Sequence, residues 1–210
     1  MIYRFLNINE LNIEDISGRV SKERLNRAEK FKNEIDKKRS IAVEYLLNEM
    51  LDELYDGITP VELLYDKNGK PHIYEDASEG GLEGTDLVQF SLSHSGDYVA
   101  CIISDVPCGI DIERHSERRD YEKIAKRICT DRELVNITNR EDFYQLWTLK
   151  ESVMKAVGLG LALDMRKIEI ERVNERYEIM TEEEKYIGHV LKAPDGYSLS
   201  YVEKITRTIY

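Results

Sequence analysis
Apolar residues recur along the chain with two different periods, and the switches between them divide it into elements. Val43, Leu46, Leu47, Met50, Leu51 and Leu54 fall at i, i+3, i+4, i+7, i+8 and i+11, which predicts a core helix from about Asp36 that stops near Gly57. Ahead of it, Ser21 is placed to cap a helix with Leu25, Ala28 and Phe31 on one side. Residues 1–8 and Val61 to Tyr65 read as strands, and Asn68-Gly69 as a tight turn. Asp76 to Asp86 has loop composition. Leu87 to Ser95 and Tyr98 to Ser104 form a hairpin across Gly96-Asp97, with Ser93, His94 and Ser95 displayed at its turn.

Further along, Thr130 to Glu133 has the form of a capping box, and Asn139 caps a helix from about Glu141 to Val157 that stops at Gly158 and Gly160. At about 100° per residue, Phe143, Leu146, Trp147, Leu149, Val153, Met154 and Val157 make one apolar stripe on that helix. Lys150 falls in the middle of the stripe, where either its stem passes to water or an anion meets it. Glu151 and Lys155 share the polar edge, at the spacing of an ordinary helix ion pair. From Lys167 onward the pattern is of short alternating runs, half-buried antiparallel strands with a last turn at Pro194-Asp195-Gly196. Strand, helix and hairpin thus occur once before Ser104 and again after it, without a detectable sequence repeat.

Candidate chemistry concentrates in Cys108-Gly109-Ile110-Asp111-Ile112-Glu113. Side chains alternate along a strand, so Ile110 and Ile112 share one face and Asp111 and Glu113 the other. Two neighbouring carboxylates repel unless a cation neutralises them, and hard oxygen donors suit Mg2+. A solvated strand end with two acids is the plainer alternative.

Charge changes this picture in one place. The chain of 210 residues carries a net charge of −11, which argues against general binding to nucleic acid or an anionic membrane. Between Arg19 and Arg39, however, nine basic residues face four acids, a local excess of +5 that suits either a solvated helix or an anion site. Hydrophobic residues make up 41%, no apolar run is long enough to span a bilayer, and no signal-like start precedes Phe5, so a cytoplasmic protein is expected. Cys101, Cys108 and Cys129 lack zinc-site spacing and read as free thiols of a reducing compartment.

Gly69-Lys70-Pro71, Phe90-Ser-Leu-Ser-His-Ser95, Gly109-Ile-Asp-Ile-Glu113 and Trp147-Thr-Leu-Lys-Glu-Ser-Val-Met-Lys155 occur in an order and spacing that resembles the 4′-phosphopantetheinyl transferases of the surfactin-synthetase-activating type. The resemblance covers about residues 69–160, with looser support from Ser21 to Arg39. It implies an α/β fold, more narrowly α+β, that is pseudo-twofold and two-lobed, each half a small antiparallel sheet packed with helices, with coenzyme A and Mg2+ in the cleft. The halves would be 1–104, with the basic helix and Ser-His-Ser hairpin, and 105–210, with the acids and the later helix. The implied reaction moves the phosphopantetheine arm of coenzyme A to a serine of an apo acyl or peptidyl carrier protein and releases adenosine 3′,5′-bisphosphate. By position, Asp111, Glu113 and Glu151 match metal-binding acids, and His94 and Lys155 match groups that hold the coenzyme's phosphates. Lys70, Ser93, Arg24, Arg27 and Arg39 are looser matches to coenzyme contacts. Ser91 stands where the family often has asparagine, and Ser152 where it has alanine.

The residue types agree with that chemistry. Phosphoryl transfer from a pyrophosphate calls for a metal on its oxygens and cations for its equatorial charge. Asp111, Glu113 and Glu151 would supply the first, and Lys155, His94 and Lys150 the second, with Glu151 as general base. A monomer is expected, since both halves belong to one chain. A Mg2+-dependent nucleotide phosphohydrolase and a non-catalytic coenzyme-binding protein are the alternatives on sequence alone.

Overall fold
The computed structural model describes residues 1–55, 59–74 and 88–206. They fall into two compact units, Met1–Asp105 and Val106–Tyr210.

In the first unit the elements are β1 (Ile2–Asn7), the single turn α1 (Ile13–Ile16), α2 (Lys22–Ala28), α3 (Glu34–Asp52), β2 (Leu63–Tyr65), β3 (Pro71–Ile73), β4 (Gln89–Ser95) and β5 (Tyr98–Ser104). Ser21 caps α2 by accepting from the Arg24 amide, and Asn33 caps α3 through the Ile35 amide. The apolar stripe of α3 packs on the antiparallel sheet β1-β5-β4, where Val43, Leu46, Leu47, Met50 and Leu51 meet Ile8, Phe90, Val99, Cys101 and Ile103. Each such buried side chain stabilises the fold by about 1.5–3 kcal/mol over leaving it exposed. The stripe is shorter than its periodicity suggests. α3 closes at Asp52, so Leu54 lies past its end at 45% exposure, and α2 stops at Ala28, which leaves Phe31 at 43%. Gly57 and the stretch from Asp76 to Asp86, expected as a helix stop and a loop, lie outside the described residues. β2 and β3 pair through a turn in which Gly69 takes φ +87°, a left-handed conformation that favours glycine.

The second unit contains β6 (Cys108–Arg114), α4 (Tyr121–Ile128), the single turn α5 (Asp131–Leu134), α6 (Arg140–Val157), β7 (Glu169–Val173), β8 (Arg176–Met180), β9 (Lys185–Leu191) and β10 (Tyr197–Lys204). Its strands form one antiparallel sheet in the order β6-β10-β9-β8-β7. Capping boxes at Thr130 and Asn139 start α5 and α6, and Gly158 at φ +80° ends α6. α4 escapes the sequence pattern because it is short and buries only Ala125 fully. α6 lies across the sheet, with Leu149, Val153, Met154 and Ala156 packed against Ile168, Ile179, Tyr186 and Val202. No helix among the described residues is long and apolar enough to cross a membrane.

Candidate active site
The site is set by how closely β6 approaches α6. A Cβ built on Gly109 would lie 1.8 Å from the Ser152 carbonyl oxygen and 2.9 Å from the Ala156 amide nitrogen, so only glycine lets the strand lie against the helix backbone here. Alternation then turns Asp111 and Glu113 toward the same helix. The acid-bearing face is therefore the helix-covered one: Asp111 is 7% exposed, and the opposite residues Ile110 and Ile112 are buried as well. Register puts Ser200 of β10 beside Asp111 and Ser198 beside Glu113. Ser200 Oγ lies 2.8 Å from Thr148 Oγ1, and Ser152 Oγ donates to the Ser200 carbonyl at 3.0 Å, so hydroxyls pin helix to sheet beside the acids.

Lys155 projects from α6 onto this face. Its ammonium donates to Asp111 Oδ1 at 2.7 Å and to the Ile110 carbonyl at 3.0 Å. The sequence spacing suggested a pair with Glu151 instead. Glu151 has no hydrogen-bond or ion-pair partner among the described residues, and its carboxyl is pushed up to about 7. Burial is the main cause, the charge of Asp111 comes next, Lys155 opposes, and Glu113 adds a further rise. Helix acid and strand acids thus lie within one another's fields. Glu113 is held at 2.7 Å by Arg119 from the segment beyond β6.

Three carboxylates whose mutual repulsion a cation would relieve fit Mg2+ in donor type. As they stand, no three histidine, cysteine or acidic side chains among the described residues converge on one metal position. Asp111 and Glu113 are each turned to a basic side chain instead.

Lys150 is a correction. The expectation that it meets a phosphate fails, because it is wholly buried and donates to Glu133 Oε1 at 2.9 Å and to the carbonyls of Met165 at 2.9 Å and Ile168 at 2.7 Å. An ammonium has three donors, and all three are used. Glu133 also accepts from the amides of Thr130 and Ile170, so the pair ties α5, α6 and the start of β7 together.

The other expected anion contacts lie in the first unit. Arg24 is buried against Glu44, with Nε at 2.7 Å from Oε2, and also donates to Ser40 and Tyr65, which leaves it two further N–H groups. Arg27 is exposed and lies over the Tyr65 ring at 4.2 Å. Arg39 donates to the Gly96 carbonyl at 2.7 Å and to Asp36 at 2.8 Å, and so fixes the hairpin turn next to Ser93 and His94. His94 is exposed, Ser93 buried and Lys70 half-buried.

Sequence reasoning missed the end of β6. His115 stacks on Tyr144 at 4.6 Å and lies 2.9 Å from Ser198 Oγ, while the Ser116 amide donates to the Tyr144 hydroxyl at 2.8 Å. The alternation of Asp111, Glu113 and His115 was the available signal. Burial lowers the His115 pKa, which favours its neutral form.

Two family models divide the chain: residues 11–106 match 4′-phosphopantetheinyl transferase, N-terminal, and residues 107–202 match the 4′-phosphopantetheinyl transferase superfamily. The 4′-phosphopantetheinyl transferase HetI of Nostoc is 31% identical over 170 residues, which cover 77% of this chain and 68% of HetI. The chain belongs to the 4′-phosphopantetheinyl transferase superfamily. Gsp of Aneurinibacillus migulanus, another 4′-phosphopantetheinyl transferase, is 33% identical over 75% of this chain, and the match spans 64% of gsp, just under two thirds. Sfp of Bacillus subtilis (strain 168) is 25% identical over 88% of this chain and 75% of its own. These relatives agree with the surfactin-synthetase-activating type that the motifs resemble.

Proposed function
We propose that this chain is an enzyme, a holo-[acyl-carrier-protein] synthase, that transfers the 4′-phosphopantetheine arm of coenzyme A to a serine of an apo acyl or peptidyl carrier protein. The observation that carries the proposal is the close seating of Gly109 on α6, which brings Asp111, Glu113, Glu151 and Lys155 to one sheet–helix contact in a chain of this superfamily.

In the proposed reaction the carrier serine oxygen attacks the phosphorus that bears the pantetheine arm. The bond to the adenosine half breaks, and adenosine 3′,5′-bisphosphate leaves. Glu151 takes the serine proton, a role that suits a half-buried carboxylate with no other partner among the described residues. Lys155, released from Asp111, meets the charge on the transferring phosphoryl group. Asp111, Glu113 and Glu151 would hold Mg2+, which when bound neutralises the pyrophosphate oxygens. In the first unit Arg24, Arg27, Arg39, Lys70, Ser93 and His94 are the groups we assign to the coenzyme's phosphates, a use that the basic excess there supports. The chain acts as a cytoplasmic monomer in this reading and needs no nucleic acid or membrane.

The test is carrier labelling. Incubation with coenzyme A, Mg2+ and an apo carrier protein should add the mass of one phosphopantetheine arm to the carrier. Cleavage of coenzyme A without a carrier, or no mass gain on any of several carriers, would overturn the assignment.

A further inference from the structure
The carboxylates proposed to hold the metal differ in their local partners. Asp111 is bound by Lys155 within the sheet–helix contact, Glu151 has none among the described residues, and Glu113 is bound by Arg119, six residues further along the chain. The route by which Arg119 returns to Glu113 is built into the fold. The His115 amide donates to the Gly196 carbonyl at 2.8 Å, the Ser116 amide to the Tyr144 hydroxyl at 2.8 Å, and the Arg140 guanidinium to the Ser116 carbonyl. The segment after β6 is therefore anchored at its start, and Arg119 sits three residues beyond the anchor. Its guanidinium is tethered within reach of Glu113 at high effective concentration. The pair is unequal in exposure, with the Arg119 side chain 50% exposed and Glu113 19%, so Arg119 can move into water while Glu113 stays in place.

We infer that Arg119 is a tethered counter-ion that competes with the divalent metal for Glu113 and so weakens the metal affinity of the chain. The inference rests on the proposed metal site. Arg119 Nη1 takes Glu113 Oε1 at 2.7 Å, and a metal ion drawn to the same carboxylate meets a donor and a positive charge already there, so the binding of each weakens that of the other. With Arg119 on Glu113 and Lys155 on Asp111, the three acids do not converge on one metal position as they stand.

The test is a titration of the full chain with Mn2+ alone, without coenzyme or carrier, followed by the electron paramagnetic resonance signal of free Mn2+. Removing an exposed ion pair should tighten Mn2+ binding in Arg119→Ala by about two- to fivefold, with Arg119→Lys in between. The gain should shrink as salt is raised, since salt screens the exposed pair. Lys123→Ala is the control, because it removes the same charge from an exposed position on the neighbouring α4. Affinity in Arg119→Ala equal to that of Lys123→Ala, or weaker than that of the unaltered protein, would overturn the counter-ion role and leave the metal site standing. Absence of Mn2+ binding by the unaltered protein would overturn both.

Discussion

Two faces of α6 carry charge, and they differ in how completely it is matched. Around Lys150 one ammonium meets one carboxylate and two carbonyls, with no exposure and no donor left over. About 140° around the helix, by its 3.6-residue turn, two cations, Lys155 and Arg119, stand against three carboxylates, Asp111, Glu113 and Glu151. The first group is saturated, so it can only hold the fold. The second has a surplus of negative charge and an unpartnered acid among the described residues, which is a state that a ligand can complete. On the sequence Lys150 falls within the apolar stripe and Lys155 at its polar edge, which does not say what either one meets. Their partners tell them apart.

The sharpest way to break this division is to remove Lys150. Lys150→Met leaves Glu133 buried with no counter-charge and should lower stability by about 3–5 kcal/mol in urea unfolding. The folded fraction should bind Mn2+ as before. Loss of Mn2+ binding by protein that is still folded would join the two faces into one site.

Gly109→Ala probes what both faces share, the seating of α6 on the sheet. Its methyl would meet helix backbone rather than a side chain that can turn away, so the strand must shift, at a cost of about 3 kcal/mol. Unlike Lys150→Met it should also weaken Mn2+ binding, because Asp111 and Glu113 move with the strand. An unchanged melting temperature would show that β6 has more room than the 1.8 Å approach allows.

Next in size is the chemical step. Glu151→Gln and Asp111→Ala should each lose at least about 10²-fold in the rate of carrier labelling, the usual effect of removing an acid–base or charge-stabilising group. Glu151→Gln should keep its stability or gain some, since it removes a carboxylate that burial and Asp111 both oppose. Full labelling activity in both variants would place the chemistry elsewhere.

Local signals carried much of the fold. Asn139 and Gly158 bracket α6 where capping rules put them, the hairpin of β4 and β5 turns at Gly96, and strands follow Lys167 near the expected runs, although β10, read as half-buried, is buried on both faces. What needed coordinates was long-range pairing. Nothing near Lys150 names Glu133, seventeen residues earlier, as its partner, and an i,i+4 rule links Lys155 to Glu151 when the ammonium goes to Asp111 on another element. Gly109 was legible in part, because a lone glycine between apolar strand residues hints at close backbone approach without saying to what. Arg119 had no signal, since its meaning depends on where the pinned segment directs it.

Ser152 gives the smallest effect and the finest version of the comparison. It stands on α6 about 60° from Lys155, on the side away from Lys150. Its buried hydroxyl donates to the Ser200 carbonyl, which leaves it a tie between helix and sheet with no free donor. Ser152→Ala removes that tie but keeps the shape, and the carbonyl belongs to a strand paired on both sides by β6 and β9. Stability should fall by about 1 kcal/mol, and carrier labelling should keep its rate. A fall in labelling without a fall in stability would mean that this hydroxyl faces the reaction, and the incomplete face would then have to be widened to take in Ser152.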